Sequence, residues 1–508
     1  MIPHLSKSVQ PKKTPYKSQH LKKAWKMPEN VNNAQPNYSS LPPTPSSQTE
    51  NKKLLIFEPS MLLFMFTTFA KFPVFQSLLF EKACLGSGRF DQITCQNVSA
   101  THADLELQKE ANHLLIASSL CLFLPSIPSA LFLGTMFDSW SSRRTLFITL
   151  IGLLFADFNY ILQSICLECS PYLLLFSDLI FGFTGGFTSI IGLFFAYSVR
   201  VTPTTFRPTR MALLEGSMGL GGMFGYLLSG QLRHLIGYAL FFLFLTVLHL
   251  IVLIQIIFFC KELINKNINT TQETTETTTI RNSTSTENLN QNSENSTSNF
   301  CILCRKRFLD ILQIFKAERD VDKQKYLNIV LVALLVEFIS FSGLMDILFS
   351  FLRFQLKWTD KEYGWFNGIA VGSDSFCIIF IYPLLQKRIG ISNLRLALFG
   401  LTFKIGSVII LAFTKTSLIA FMSIFLSIFG RFVSTGLRAI ASACVNVGKI
   451  FSLMSLLQSL GFLIASPLFN GIYPFTLNFF PGTMLLVVAA LLTFSAGLLI
   501  YLDVKNTN

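Results

Sequence analysis

The sequence predicts an all-α membrane protein: twelve transmembrane helices in two six-helix halves, with both termini cytosolic. Three observations lead there: the composition, a succession of long apolar runs, and one polar break between the sixth run and the seventh. Of 508 residues, 51% are hydrophobic and 14% charged, and 52 are Phe. A water-soluble protein of this length needs far more charge on its surface. Only a bilayer tolerates so many long apolar segments.

Residues 1–53 are polar and basic, with Lys12, Lys13, Lys22 and Lys23 and a Pro/Ser/Thr stretch from Pro42 to Ser47. Such a segment cannot bury enough apolar surface to fold, so it reads as a disordered cytosolic tail. It lacks the apolar core of a signal peptide, so the first apolar run is expected to act as its own insertion signal.

Six apolar segments follow, near 54–80, 111–137, 145–166, 171–199, 211–231 and 237–260. Together they make a first half, 54–260. A polar linker is expected over 261–326. A second half, 327–502, holds segments near 327–353, 363–386, 393–414, 417–437, 449–472 and 482–502, before a short cytosolic tail, 503–508. Each run is long enough for a hydrocarbon core of about 30 Å.

Orientation follows from Lys and Arg, which concentrate in cytosolic loops. Arg143 and Arg144, then Arg200, Arg207 and Arg210, then Arg305, Lys306 and Arg307, then Lys387, Arg388 and Arg395 fall on one side. The net charge of +13 therefore reads as topology and not as a nucleic-acid face. Asn97, in Asn97-Val98-Ser99, then lies in the first outside loop and is a glycosylation site. The sequons at Asn269, Asn282 and Asn295 lie in the cytosolic linker and are expected to stay unmodified. Cys84 and Cys95 share the first outside loop, where oxidation can join them. Cys166 and Cys169 flank a short outside turn. Cys301 and Cys304 form a lone C-x-x-C, which is weak evidence for zinc, and no metal site is expected.

Ionisable groups inside a membrane are costly, so each one is a candidate functional residue. Glu215 is the strongest. It sits on helix 5 beside Gly216, Gly219, Gly221, Gly222 and Gly225, small residues that let helices approach closely. A carboxylate beside such a seam faces protein or a water-filled cavity, which suits a proton-coupling group. The structural alternative is a carboxylate paired with a cation near the cytosolic end. Arg438 on helix 10 is suited to a bidentate hold on an anionic substrate, or to a gating salt bridge. Asp346 on helix 7, Asp374 on helix 8 and Lys404 on helix 9 are further candidates. In the first half these are Glu58, Lys71 and Asp157, each of which has an ion pair within the bundle as its structural alternative.

The run Gly134-Thr135-Met136-Phe137-Asp138-Ser139-Trp140-Ser141-Ser142-Arg143-Arg144 joins helices 2 and 3. Its Asp138, Arg143 and Arg144 can brace a cytosolic gate and neighbouring helix ends. The run resembles the G-x-x-x-D-x-x-G-R-[RK] loop of major facilitator transporters, without the loop Gly and with one residue inserted before the Arg pair. Two six-helix halves joined by a long linker agree with that fold.

More specific strings resemble solute carrier family 46. They are Glu58-Pro59, the Asp138 loop, the Arg210 to Ser217 run, Gly343-Leu344-Met345-Asp346-Ile347-Leu348, Leu437-Arg438-Ala439, and the run from Phe469 to Phe479. The resemblance covers about 54–502. It implies proton-coupled uptake of organic anions, such as folates, or carriage of muropeptide-like and conjugated solutes. By the same resemblance Glu215 falls on a proton-coupling Glu, Asp138 on the gate Asp, Arg438 on a substrate- and proton-handling Arg, and Asp346 on a helix 7 Asp. Phe341 stands where the family's folate carrier has a His, and a helix 4 Asp is replaced near Phe183. A Cys of a second outer loop is replaced near Lys357. Losing the His removes a group that titrates near neutral pH, which puts folate itself in question.

The expected function is thus secondary active transport by alternating access: symport of protons with an anionic small molecule. An uncoupled carrier and a transport-inactive receptor or scaffold stand as alternatives. No H-E-x-x-H, G-x-S-x-G or G-x-x-x-x-G-K-[ST] pattern occurs, so neither an enzyme nor an ATP-driven pump is expected. No cofactor is implied. The expected partners are the substrate, protons and the lipid bilayer, with the chain working as a monomer by analogy with the fold.

Overall fold

The computed structural model describes residues 57–97, 101, 104–139, 141–202, 207–260, 321–444 and 447–507. The basic tail, the sequons at Asn269, Asn282 and Asn295, and the pair Cys301 and Cys304 lie outside the described residues.

The chain folds into α1 (Phe57–Gly86), α2 (Leu105–Ser139), α3 (Ser142–Ile165) and α4, which is broken into Leu175–Phe183 and Gly186–Val201. A single 53-residue helical stretch, Arg207–Phe259, follows. Then come α7 (Val321–Leu356), α8 (Asp360–Phe376, continuing to Ile389), α9 (Asn393–Ala412) and α10 (Ser417–Ser427 and Arg431–Cys444). The last two are α11 (Val447–Thr476) and α12 (Thr483–Thr507). Two boundaries depart from expectation. Helix α7 begins inside the segment 261–326 that read as linker, and α12 takes in nearly all of the expected tail 503–508.

Among the described residues, eleven helices are long and apolar enough to cross a membrane, one of them 47 residues long, Leu213–Phe259. At 1.5 Å per residue that helix would span about 70 Å, more than twice a bilayer core. Gly237 breaks it, with φ 73° and ψ 177°. The two arms fold back on each other. Arg210, at one extremity, pairs with Glu58, and Gln255, near the other, accepts a hydrogen bond from Ser60. Both ends of the stretch therefore meet the same end of α1. We call the arm over 207–236 α5 and the arm over 238–259 α6, which makes twelve crossings. Gly237 adopts a left-handed φ that few other residues adopt, and this lets so apolar a run turn without a polar loop.

The end of the bundle where α1 starts is the near end, and the other is the far end. Arg395 at the start of α9 meets Asp503 in α12 at 3.4 Å, so the last helix returns to the near end.

Two apolar cores form. One is built from residues of α1 to α6, the other from α7 to α12 together with Tyr226 of α5. Contact between them runs through α2 against α11, where Phe123 meets Phe462, and through α5 against α8, where glycines meet. A methyl group on Gly364 would lie 2.4 Å from the Tyr226 carbonyl oxygen, and one on Gly230 2.4 Å from the Lys361 Cα. Any side chain there would push the two halves apart. Prolines lie inside α1, α2 and α11, as is commoner in membrane-spanning helices than in soluble ones.

Candidate transport site

Charged side chains gather at three depths. At the near end Arg210 holds Glu58 at 2.7 Å, both buried. This pins the start of α5 to the start of α1. Five residues on, Glu215 is half-buried and makes no hydrogen bond to any described residue. Its neighbour Gly216 lies against Ile379 of α8, so Glu215 stands at the seam between the halves. Its charge acts on Arg438 of α10 and on Tyr382 of α8. The Arg438 guanidinium lies 5.8 Å from the Phe338 ring centre, and its Nε is buried without a hydrogen-bond partner. The sequence-predicted pair Glu215 and Arg438 is thus brought together across the two halves, in electrostatic reach but not in contact.

Behind Arg438 lies a balanced charge cluster. Lys404 of α9 pairs with Glu337 of α7, and Arg431 of α10 approaches Asp374 of α8 at 3.9 Å. Glu337 and Arg431 escaped the sequence reading. Two π-helical segments, Cys377–Ile381 and Leu385–Ile389, follow Asp374 and flank Tyr382. Such distortions expose backbone groups and recur at functional sites.

At mid-depth Asp346 accepts a hydrogen bond from Asn470 Nδ2 at 3.0 Å, and the same amide donates to Ser466 at 3.1 Å. Among the described residues, the Asn470 carbonyl oxygen is buried and without a partner, as are the hydroxyls of Tyr363 and Tyr473, one turn from the far ends of α8 and α11. Unpaired buried polar atoms are costly, and they are ready to take up a ligand contact. Phe341 sits 6.3 Å from Phe462, which in turn lies 4.9 Å from Phe123, so three rings from α7, α11 and α2 bridge the halves.

The first half carries its own network. Asp157 meets His249 of α6 at 2.6 Å. Lys71 lies 4.6 Å above the Tyr160 ring, and Asp178 accepts from Tyr160 and Ser118, each at 2.6 Å. Helix α4 thus keeps a carboxylate, five residues before Phe183. The rule that flagged the other intramembrane charges would have found Asp178 and His249 had it been applied to α4 and α6.

At the far end Arg233 of α5 grips Asp360 of α8 through Nε, at 2.7 Å, and Nη2. Arg353 stacks its guanidinium 3.8 Å from the Phe80 ring centre. Glu81 accepts from Gln96 at 2.9 Å. The Arg233–Asp360 and Arg353–Phe80 contacts close the halves together at that end, while Gln96 and Glu81 join parts of the first half.

The remaining predicted residues are peripheral. Asp138 falls on the last turn of α2, and its side chain lies outside the described set. Arg143 and Arg144 are exposed on the first turn of α3, which Ser141 caps by accepting from the Arg144 amide at 3.3 Å. Arg200 donates to the Phe137 carbonyl at 2.9 Å and covers that end of α2. Asn97 is exposed at the far end. Cys84 is bonded to Cys95 and Cys166 to Cys169, both at the far end.

The Major Facilitator Superfamily model matches residues 97–466. The chain belongs to that superfamily. Its relatives by sequence are solute carrier family 46 proteins. The proton-coupled folate transporter of Bos taurus is 25% identical over 462 residues, 88% of this chain and 92% of that one. The lysosomal proton-coupled steroid conjugate and bile acid symporter of Homo sapiens is 23% identical over 463 residues, 87% and 93% of the two chains. Among solved structures, the human organic anion transporter TETRAN superposes with TM-score 0.62 at 15% identity, covering 90% of this chain and 100% of that one. This facilitator is accordingly a multi-pass membrane protein and a secondary transporter, not an enzyme.

Proposed function

We propose that this facilitator is a proton-coupled symporter of an organic anion, with Glu215 carrying the coupling proton and Arg438 neutralising the substrate. The observation that carries the reading is the placement of Glu215 and Arg438: opposite charges on α5 and α10, in the two halves, both half-buried and neither ion-paired with a described residue. A carboxylate held by a salt bridge keeps its charge. One poised near a cation can exchange that cation for a proton. When Glu215 is protonated, Arg438 is released to an anion; when substrate leaves, Arg438 draws on Glu215 again. The relatives' proton-coupled activities support this assignment, and their substrates, folate and steroid conjugates, supply the class to test.

The near end is cytosolic in this reading, with both termini on that side. Basic residues crowd it, whereas both disulfides lie at the far end, where an oxidising compartment would form them. The Arg233–Asp360 grip then closes the outside, so the conformation is inward-facing. Asp346, with Asn470, supplies the polar lining at the midplane. Asp138, Arg143 and Arg144 brace the cytosolic gate, Asn97 carries a glycan, and the carrier works as a monomer in the plasma or endolysosomal membrane.

Purified protein in liposomes tests the reading. Labelled folic acid, oestrone sulfate and a muramyl dipeptide are offered at pH 5.5 outside and 7.5 inside, and at pH 7.5 on both sides. Accumulation of at least one anion only under the gradient supports symport. Equal uptake in both conditions would show an uncoupled carrier.

A further inference from the structure

We infer that Thr67, His249 and Asp157 form a second proton-binding site, inside the first half and separate from Glu215. The case begins with hydrogen-bond accounting. The Thr67 hydroxyl has one hydrogen and two neighbours that could take it, the Phe64 carbonyl at 2.8 Å and His249 Nε2 at 2.7 Å. On the other side of the ring, Nδ1 and Asp157 Oδ2 are 2.6 Å apart, a contact that requires a proton between them. When the Thr67 hydrogen goes to the Phe64 carbonyl, Thr67 Oγ1 accepts from an Nε2–H and both ring nitrogens carry a hydrogen. In that state the triad is an imidazolium beside a carboxylate, or the equivalent neutral pair, and its net charge is zero.

The same atoms satisfy a second state. If Nε2 gives its proton to water, the Thr67 hydroxyl can rotate away from the Phe64 carbonyl and donate to the bare nitrogen. The Nδ1–H then donates to the Asp157 carboxylate, and the triad carries one negative charge. The abandoned Phe64 carbonyl keeps a side-chain donor, because Thr68 Oγ1 also donates to it at 2.8 Å. No polar atom of the triad loses its partner in either state. A purely structural clasp has no need of that redundancy. A site that loads and unloads a proton within a buried bundle does need it, since an unpaired polar group there is costly.

The surroundings favour reversible charge. Thr67, Asp157 and His249 are all buried. The cation that faces them is Lys71, one turn beyond Thr67 on α1 and half-buried. From α3 they are faced by Tyr160, which is hydrogen-bonded to Asp178 of α4. On α6 the other titratable residue is Tyr238, at the far end. Toward the near end Glu58 and Arg210 already pair with each other. Loading the triad removes a negative charge near Lys71, and unloading it restores one. The proton on His249 is thereby coupled to a lysine ammonium in the same half. The use of this proton in transport rests on the proton-coupled reading, whereas the site itself does not.

The test is ¹⁵N NMR of the full-length protein, labelled at histidine, in lipid nanodiscs between pH 4.5 and 9. The His249 signals are assigned by their loss in His249→Gln. They should move from a doubly protonated ring, or its hydrogen-bonded equivalent, to a ring with bare Nε2 as pH rises. They should do so in Glu215→Gln as well. In Thr67→Val, which keeps the His–Asp pair, Nε2 loses its partner in both states. The charge-assisted Nε2–H bond of the loaded state is the stronger of the two, so that state is weakened more and the midpoint should fall by about one pH unit. A His249 ring unchanged across the range, one that titrates only when Glu215 is present, or an unmoved midpoint in Thr67→Val would each overturn the inference.

Discussion

Arg233 and Asp360 close the far end of the two halves with a two-pronged ion pair, in which the Asp360 side chain is fully buried and Arg233 is 20% exposed. His234 stands 3.9 Å from the same carboxylate. The pair joins α5 to α8 next to the glycine seam, so this charge contact between the halves sits where the two helix backbones also approach closely. Alternating access requires this contact to break.

Removing one partner leaves the other charge buried and unpaired, which costs about 3–5 kcal/mol in the closed state. Arg233→Ala should therefore shift the population toward the far-open form. Spin labels at Tyr172 and Lys415, both exposed at the far end, would report it. The distance distribution is expected to gain a longer component in the variant. An unchanged distribution would mean that the pair is not a gate.

The glycine seam predicts a stability effect. Gly364→Val forces branched carbons toward the Tyr226 carbonyl, which even a lone methyl would approach to 2.4 Å. Overpacking of this kind costs about 1–3 kcal/mol. The expected result is a lower unfolding midpoint in detergent by tryptophan fluorescence, with Gly497→Ala, where nothing lies within 4 Å, as the neutral comparison.

Lys82 is fully buried and, among the described residues, pairs with no carboxylate; its ammonium donates to the carbonyls of Cys166 and Cys169 at 2.6 and 3.1 Å. It covers the exposed carbonyl end of α3 and ties that end to α1. Lys82→Met keeps the volume but leaves these carbonyls without a donor. A loss of about 1–3 kcal/mol is expected, read as a lower unfolding midpoint.

Arg438 predicts a substrate effect. Charge-assisted hydrogen bonds contribute about 1.5–3 kcal/mol, so Arg438→Ala should raise KM for the anion about 10- to 100-fold. Arg438→Lys should recover only part, because an ammonium cannot reproduce the planar fork. An unchanged KM in Arg438→Ala would place the anion elsewhere.

The helices were legible because apolar runs are local and a bilayer demands their length. Gly237 fell at the edge of an expected segment, and its turn was visible as a break between two apolar runs. The partners were not legible. Asp157 and His249 are 92 residues apart and Glu337 and Lys404 are 67, and no local pattern links them. Glu215 and Arg438 could be flagged singly by the cost of charge in lipid, but their facing each other depends on how α5 and α10 pack. Asp178 and His249 were legible by that same cost of a titratable group in an apolar run, whereas their partners Ser118, Tyr160 and Thr67 were not.

The central claim, that Glu215 carries the coupling proton, is tested most directly by the Glu215→Gln variant in liposomes. Two assays are compared on an anion the wild type transports: accumulation driven by a proton gradient, and exchange of labelled for unlabelled substrate without a gradient. One proton per substrate across two pH units corresponds to about 2.7 kcal/mol, or about hundredfold accumulation. Glu215→Gln, neutral at every pH, should lose that accumulation yet retain exchange. Accumulation equal to the wild type in Glu215→Gln would contradict it.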